Sequence, residues 1–275
     1  MRVKTWRVGL LSFWMTVLLI ACTQLAPPAP QLSQQTTVQS AAQTSTLLVA
    51  AAASLQKALQ EITPLYTQAN SNQTINYNFA ASGALQQQIE QGAPVDVFIS
   101  AAEKQMKALQ EKGSFASGTQ RDLLTNQLVL ITPKQAAVSL TDFQQLVKPE
   151  IKRISIGEPR SVPAGQYSTE VLKNLGILEQ VQSKFVFGSN VKSVLTAVET
   201  GDVDAGIVYI TDAKSSDQIT IAATADQKLH SPILYPIAVL KSSKSIDSSK
   251  RYAEFLQSDP AKAVFEKYGF GIAKP

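Results

Sequence analysis

The chain has 275 residues, 44% of them apolar, enough to bury one large α/β domain or two modest lobes. Of its 25 basic residues, Arg2, Lys4 and Arg7 fall in an acid-free stretch of the first 21, and the remaining 22 nearly balance the 21 acids. No Lys/Arg-dense run with interleaved aromatics remains, which argues against a nucleic-acid partner, and a single cysteine excludes an internal disulfide or a cysteine-based metal cluster.

Residues 1–21 read as a secretory signal peptide. A positive segment, Met1 to Arg7, precedes an apolar run, Val8 to Ala21, that is short for a membrane span. The run ends in Leu19-Ile20-Ala21-Cys22, which resembles a bacterial lipobox, whose cysteine thiol carries the lipid and becomes the first mature residue. The alternative is a signal anchor that happens to contain a cysteine. Residues 22–45 then read as the lipidated Cys22 and a disordered tether, rich in Gln, Thr, Ser, Ala and Pro and free of charge.

The ordered chain is expected to begin near Thr46 with a strand at Leu47–Ala50. After Ser54, Leu55, Leu59, Ile62 and Tyr66 recur at helical spacing, with Pro64 expected to kink or tighten that helix. The pattern continues with a strand at 75–79, helices at 82–91 and 102–111, and buried strands at 95–99 and 128–131. A second series comprises strands at 154–156, 184–187 and 205–210 with helices at 164–175 and 190–200. Strand 233–240, a helix near 247–257 and a short one near 260–267 close the chain. This alternation predicts an α/β fold with parallel-rich sheets and helices on both faces, and no internal repeat is visible.

The chemistry lies where helices start. Four strand-to-helix turns carry small or hydroxyl residues: Ala51-Ala-Ala-Ser54, Ala80-Ala-Ser-Gly83, Val162-Pro-Ala-Gly165 and Ser189-Asn-Val-Lys192. A helix N-terminus offers unpaired N–H groups and a positive dipole end, and small side chains let an anion reach them. Singly, each turn is explained as well by an N-cap or by tight packing. Together, at the strand C-terminal ends of open sheets, they converge on one crevice.

The order of motifs resembles the molybdate-binding proteins of ABC importers, over essentially the whole chain from Leu47. The resemblance is carried by Ala51-Ala-Ala-Ser54-Leu55, Phe79-Ala-Ala-Ser82-Gly-Ala-Leu85 and Gly92-Ala-Pro-Val-Asp-Val-Phe-Ile-Ser-Ala101. It continues in Gly157-Glu-Pro-Arg-Ser-Val-Pro-Ala-Gly165, Gly206-Ile-Val-Tyr209, Tyr235-Pro-Ile-Ala-Val239 and Tyr268-Gly-Phe270. It implies the two-lobe periplasmic-binding-protein type II fold, with a ligand cleft between a lobe of 46–131 plus 236–275 and a lobe of 132–235. It also implies five oxyanion contacts: hydroxyl and N–H donors from Ser54 and Ser82, backbone N–H from Ala164 and Val191, and the phenol of Tyr209. The resemblance further implies extracytoplasmic capture of molybdate or tungstate and delivery to an ABC importer permease. The protein would be a monomer, without catalytic residues or cofactor, held to the membrane by the lipid on Cys22, and the metal would be bound only within its oxyanion.

Two departures from the family pattern stand out. Gly83 occupies a place where serine is frequent and is expected to loosen its turn, and a Pro-Arg-Ser insert before Val162 puts Arg160 near the cleft mouth. By itself Tyr209 reads as core packing after a buried strand. His230 reads as a loop residue, and Asp96 and Glu158 as acids that brace turns. The alternatives are another tetrahedral anion, sulfate or phosphate; a hydrolase or transferase using Glu158, Asp96 or His230; and a structural lipoprotein with an empty cleft. A donor-only set favours a fully ionised anion over phosphate, which keeps a proton near neutral pH and needs an acceptor.

Overall fold

The computed structural model describes residues 45–274. The signal peptide, Cys22 and the tether up to residue 44 lie outside the described residues; Ser45, read as tether, opens the first strand. Among the described residues no helix is long and apolar enough to cross a membrane.

The first lobe starts with β1 (Ser45–Ala52), which passes through a 3-10 turn into α1 (Gln56–Ala69), then β2 (Gln73–Ala80) and α2 (Ser82–Glu90). It continues with β3 (Val97–Ile99), α3 (Glu103–Glu111) and β4 (Arg121–Thr125). The second lobe holds β5 (Leu128–Pro133), β6 (Ile154–Gly157), α4 (Pro163–Asn174), α5 (Leu178–Val181) and β7 (Phe185–Gly188). After these come α6 (Val191–Glu199), β8 (Ala205–Tyr209), α7 (Ile210–Ala213) and β9 (Ile219–Thr224). The chain returns to the first lobe for β10 (Leu234–Val239), α8 (Ile246–Phe255), α9 (Asp259–Lys267) and β11 (Gly271–Ile272).

The sheets run β11-β4-β10-β3-β1-β2 and β7-β6-β8-β5-β9. Each has a parallel trio, β2-β1-β3 or β7-β6-β8, and then an antiparallel neighbour, β10 or β5. That neighbour is the strand arriving from the other lobe. It enters at the cleft, where the parallel strands end, and so must run against them. The sheets are therefore mixed, a correction to the parallel-rich expectation.

The crossover also moves. The run Leu128–Ile131, expected to close lobe one, pairs with β8 and β9 of the second sheet, so the chain crosses at Asn126–Gln127. An apolar run looks alike in either central position, and its neighbours gave no warning. Arg121–Thr125 carries two charges and pairs at the far side of β10, while Ile219–Thr224 is a half-exposed edge strand; neither was predicted. The short α5, α7 and β11 were missed as well.

Side-chain alternation buries the first sheet on both faces. Leu47, Val49 and Ala51 of β1 join the main core, while Ala50 packs on the opposite face with Phe98, Leu85, Met106 and Leu109. On α1, Ala58, Leu59, Ile62 and Tyr66 form one buried stripe at helical spacing. The helix runs unbroken past Pro64, because the carbonyl left without a donor there is that of exposed Gln60.

Candidate anion-binding site

Strands β1, β2, β6, β7 and β8 all end at the cleft between the lobes, and helices begin there. The residues preceding four of those helical starts, Ala52, Ala81, Val162 and Asn190, line one small, tightly closed cavity. Three of the starts have no side-chain cap. At the fourth, Asn190 caps Lys192 and Ser193 at 2.9 and 3.1 Å and leaves the Val191 N–H untouched. Proline at the first position of α4 has no N–H, so Ala164 provides the first donor of that helix. The N–H groups of Ser54, Ser82, Ala164 and Val191 have no acceptor among the described residues. Buried backbone donors are almost always paired, so four of them facing one cavity mark a place for an acceptor from outside.

The cavity brings together all five residues singled out in the sequence: Ser54, Ser82, Ala164, Val191 and Tyr209. Ser82 Oγ accepts the Ala101 N–H at 2.9 Å, which leaves its own proton free. Ser54 Oγ lies 2.9 Å from the Tyr235 hydroxyl. Tyr209 is 1% exposed and its phenol donates weakly to the Ala101 carbonyl across the cleft at 3.4 Å. Burial pushes its pKa well above the ordinary value for tyrosine, with Tyr235, Tyr167 and Asp212 nearby adding to the effect, so it stays a neutral donor. No Lys, Arg, Asp or Glu lines the cavity. It is a set of dipolar donors with four helix starts behind it, each worth about 0.3–1 kcal/mol for an anion and more when desolvated.

The remaining sequence candidates fall elsewhere. Asp96 accepts from Leu48 N–H at 2.8 Å and Ser243 at 2.6 Å, so it braces its turn. Glu158 pairs with Arg160 at 3.1 Å, and Arg160 is largely exposed, outside the cavity lining. His230 lies in the loop before β10, its Nδ1 at 2.8 Å from the Ser231 carbonyl oxygen. Gly83 sits against the second lobe. Its N–H donates to the Ser161 carbonyl across the cleft at 2.9 Å, and a Cβ at that position would stand 2.6 Å from the same oxygen. The glycine permits a close inter-lobe contact with the inserted loop, a role that had no sign in the sequence. Lys57 Nζ makes a further inter-lobe bond, to the Ser215 carbonyl, at 2.9 Å.

Sequence reasoning missed the supports. Lys192 and Asp212 form an ion pair at 2.8 Å behind the Val191 start, with Asp212 fully buried. Burial raises the Asp212 pKa, and Lys192 opposes it. Asn126, Thr211 and Tyr235 make a buried polar chain to Ser54. Of the three, only Tyr235 stood in a sequence motif; Asn126 and Thr211 are 85 residues apart and carry no local signature. Among the described residues no group of three His, Cys, Asp or Glu could hold a bare metal ion.

The model of the bacterial extracellular solute-binding protein family matches residues 47–271. The chain is 45% identical over 225 residues to the "Putative ABC transporter substrate-binding lipoprotein YvgL" of Bacillus subtilis, covering 82% of this chain and 86% of that one. It is 38% identical over 225 residues to the molybdate-binding protein ModA of Haemophilus influenzae, covering 81% of this chain and 88% of the relative. Among solved structures, the "substrate binding domain of putative molybdenum ABC transporter" from Clostridium difficile superposes with a TM-score of 0.66 at 44% identity. That match covers 83% of this chain and 99% of that domain.

Proposed function

The chain belongs to the bacterial extracellular solute-binding proteins, and on that premise we propose that it captures molybdate, and tungstate with it, for an ABC importer permease. The observation that carries this reading is the cavity: four unpaired backbone donors and two serine hydroxyls, drawn from both lobes, with no charged side chain among its lining residues. Such a site dehydrates a fully ionised tetrahedral anion and replaces its water shell with fixed donors. It presents no carboxylate to receive the proton that phosphate carries near neutral pH. The names of the H. influenzae relative and the C. difficile domain, which share 38% and 44% identity with this chain, support molybdate over other tetrahedral anions.

In this reading Ser54 and Ser82 hold the anion from the first lobe, and Ala164, Val191 and Tyr209 from the second. An anion touching both lobes stabilises the closed arrangement, and the permease recognises that arrangement. Cys22 carries the lipid that keeps the protein at the membrane, in line with the lipoprotein name of the B. subtilis relative. The protein works as a monomer, without a cofactor, and releases its ligand unchanged.

Thermal unfolding of the protein with molybdate, tungstate, sulfate or phosphate tests this. A ligand that binds only the native state stabilises it by about 2.7 kcal/mol at a hundred times its Kd. A rise in Tm with molybdate and tungstate alone is the expected result. A rise with sulfate or phosphate instead would replace the ligand, and no rise with any anion would overturn the function.

A further inference from the structure

We propose that Asn126, at the crossover between the lobes, is a positioning residue for the anion site. Through Tyr235 it fixes the Ser54 hydroxyl so that a proton, and not a lone pair, faces the cavity. This rests on the anion-capture reading above and extends it to residues outside the cavity wall.

Hydrogen-bond arithmetic leaves one arrangement. Asn126 Oδ1 accepts the Gln127 N–H at 2.8 Å. A flipped amide would set its NH₂ against that N–H, so the orientation is fixed. The two protons on Asn126 Nδ2 go to Thr211 Oγ1 and Tyr235 Oη, each at 3.0 Å. Tyr235 is fully buried, and its hydroxyl bonds Asn126 Nδ2 and Ser54 Oγ at 3.0 and 2.9 Å, while the neighbouring Tyr209 gives its own proton to the Ala101 carbonyl. The first can only donate, so the tyrosine proton must go to Ser54 Oγ, 2.9 Å away. Ser54 Oγ is thereby occupied as an acceptor, and its own proton turns into the cavity that it lines.

The chain of bonds also joins parts that move in hinge closure. Asn126 sits between β4 of one sheet and β5 of the other, Tyr235 lies on the returning strand β10, and Thr211 belongs to α7 of the second lobe. Both crossovers and both lobes must be in register for the relay to be complete. Reversing it would put a serine lone pair against a dianion.

Calorimetric titration of molybdate into the wild type, Asn126→Asp, Asn126→Leu, Tyr235→Phe and the Asn126→Asp/Tyr235→Phe double variant tests the relay, with anion-free melting as the folding control. Aspartate offers the tyrosine proton a better acceptor and reverses the chain. A loss of about 100-fold in affinity is expected, the scale of a hydrogen bond to a charged group. Leucine lowers Tm by stranding the Gln127 N–H, yet leaves Tyr235 only Ser54 to donate to, so affinity falls less than about threefold. With phenylalanine at 235 the chain is cut, and adding Asn126→Asp costs less than about tenfold more. Equal losses in Asn126→Leu and Asn126→Asp, or losses that multiply in the double variant, would overturn the relay. If the wild type binds no molybdate, the relay falls together with the function, a result distinct from either variant pattern.

Discussion

In the first lobe the anion donors include serine hydroxyls, Ser54 and Ser82, each aimed by one buried polar neighbour. In the second lobe they are chiefly bare N–H groups at Ala164 and Val191, on helices opened by a proline and by an asparagine cap, with the buried Tyr209 phenol beside them. The strand order is nevertheless the same, a parallel trio followed by the arriving antiparallel strand. Topology thus places helix starts at the cleft twice, while the means of fixing the donors differ. Hydroxyls rotate and need partners to aim them. Backbone donors are aimed once the helix is held, and packing does that: a Cβ at Gly165 would lie 1.9 Å from the Gly157 carbonyl oxygen, so only glycine lets α4 start this close to β6.

Removing both hydroxyls should expose this difference most strongly. Each is expected to contribute about 1.5–3 kcal/mol to a charged ligand. Ser54→Ala/Ser82→Ala should therefore lower molybdate affinity by at least about 100-fold in calorimetric titration. Ser82→Ala also strands the buried Ala101 N–H, so its anion-free Tm should fall. Near-wild-type affinity in the double variant would mean that backbone donors alone hold the anion in the first lobe.

The second lobe should fail through its scaffold. Lys192→Met leaves the fully buried Asp212 carboxylate without the ammonium that stands 2.8 Å away. Breaking such a pair from one side costs about 3–5 kcal/mol, and the lower end is expected because Lys192 reaches solvent. Urea unfolding should show the loss with no anion present. Unchanged stability would show that Asp212 takes up a proton when it loses its partner.

The two lobes were also unequally legible. The five cavity residues could be named because short motifs at helix starts are local, and the resemblance put them in order. Strands such as β1 and β8 announced themselves as apolar runs. Strand β4, which carries Arg121 and Asp122 at its start, and the edge strand β9 did not, since polar residues on their exposed positions blur the period. Missing them moved the crossover, because without β4 nothing separated Leu128–Ile131 from the first-lobe strands, and its edge partner β9 was unseen. Asn126 and Asp212 were invisible for a related reason: each matters through residues brought near by folding, and a lone Asn or Asp has no pattern.

A smaller effect should appear where the lobes touch. Gly83→Ser places a Cβ within 2.6 Å of the Ser161 oxygen and 2.7 Å of its Cα, both backbone atoms. The three atoms nearest that Cβ all belong to Ser161 of the second lobe, so anion-free Tm should hold. Closure onto loop 158–162 should be hindered, with affinity reduced about tenfold, near 1.4 kcal/mol. Small-angle scattering should show less compaction on adding molybdate than the wild type. Full compaction would show that the inserted loop yields freely.

The smallest expected effect is none at all, and it bears on both lobes. Tyr209 is the titratable side chain in the cavity lining, and burial holds its pKa well above the ordinary value. A raised phenol pKa means the folded state keeps its proton more firmly, so any stability it carries is complete below about pH 10 and is lost only above it. Molybdate affinity should therefore stay flat between about pH 6 and pH 9. Asp212 is the group that could bend the line, because burial raises its pKa while Lys192 opposes the shift. Were it to protonate within that window, negative charge behind Val191 would disappear and affinity would climb toward the acid end. Asp212→Asn would then remove the slope. A flat profile in the wild type assigns ligand capture to fixed donors in both lobes, with no proton taken up or released.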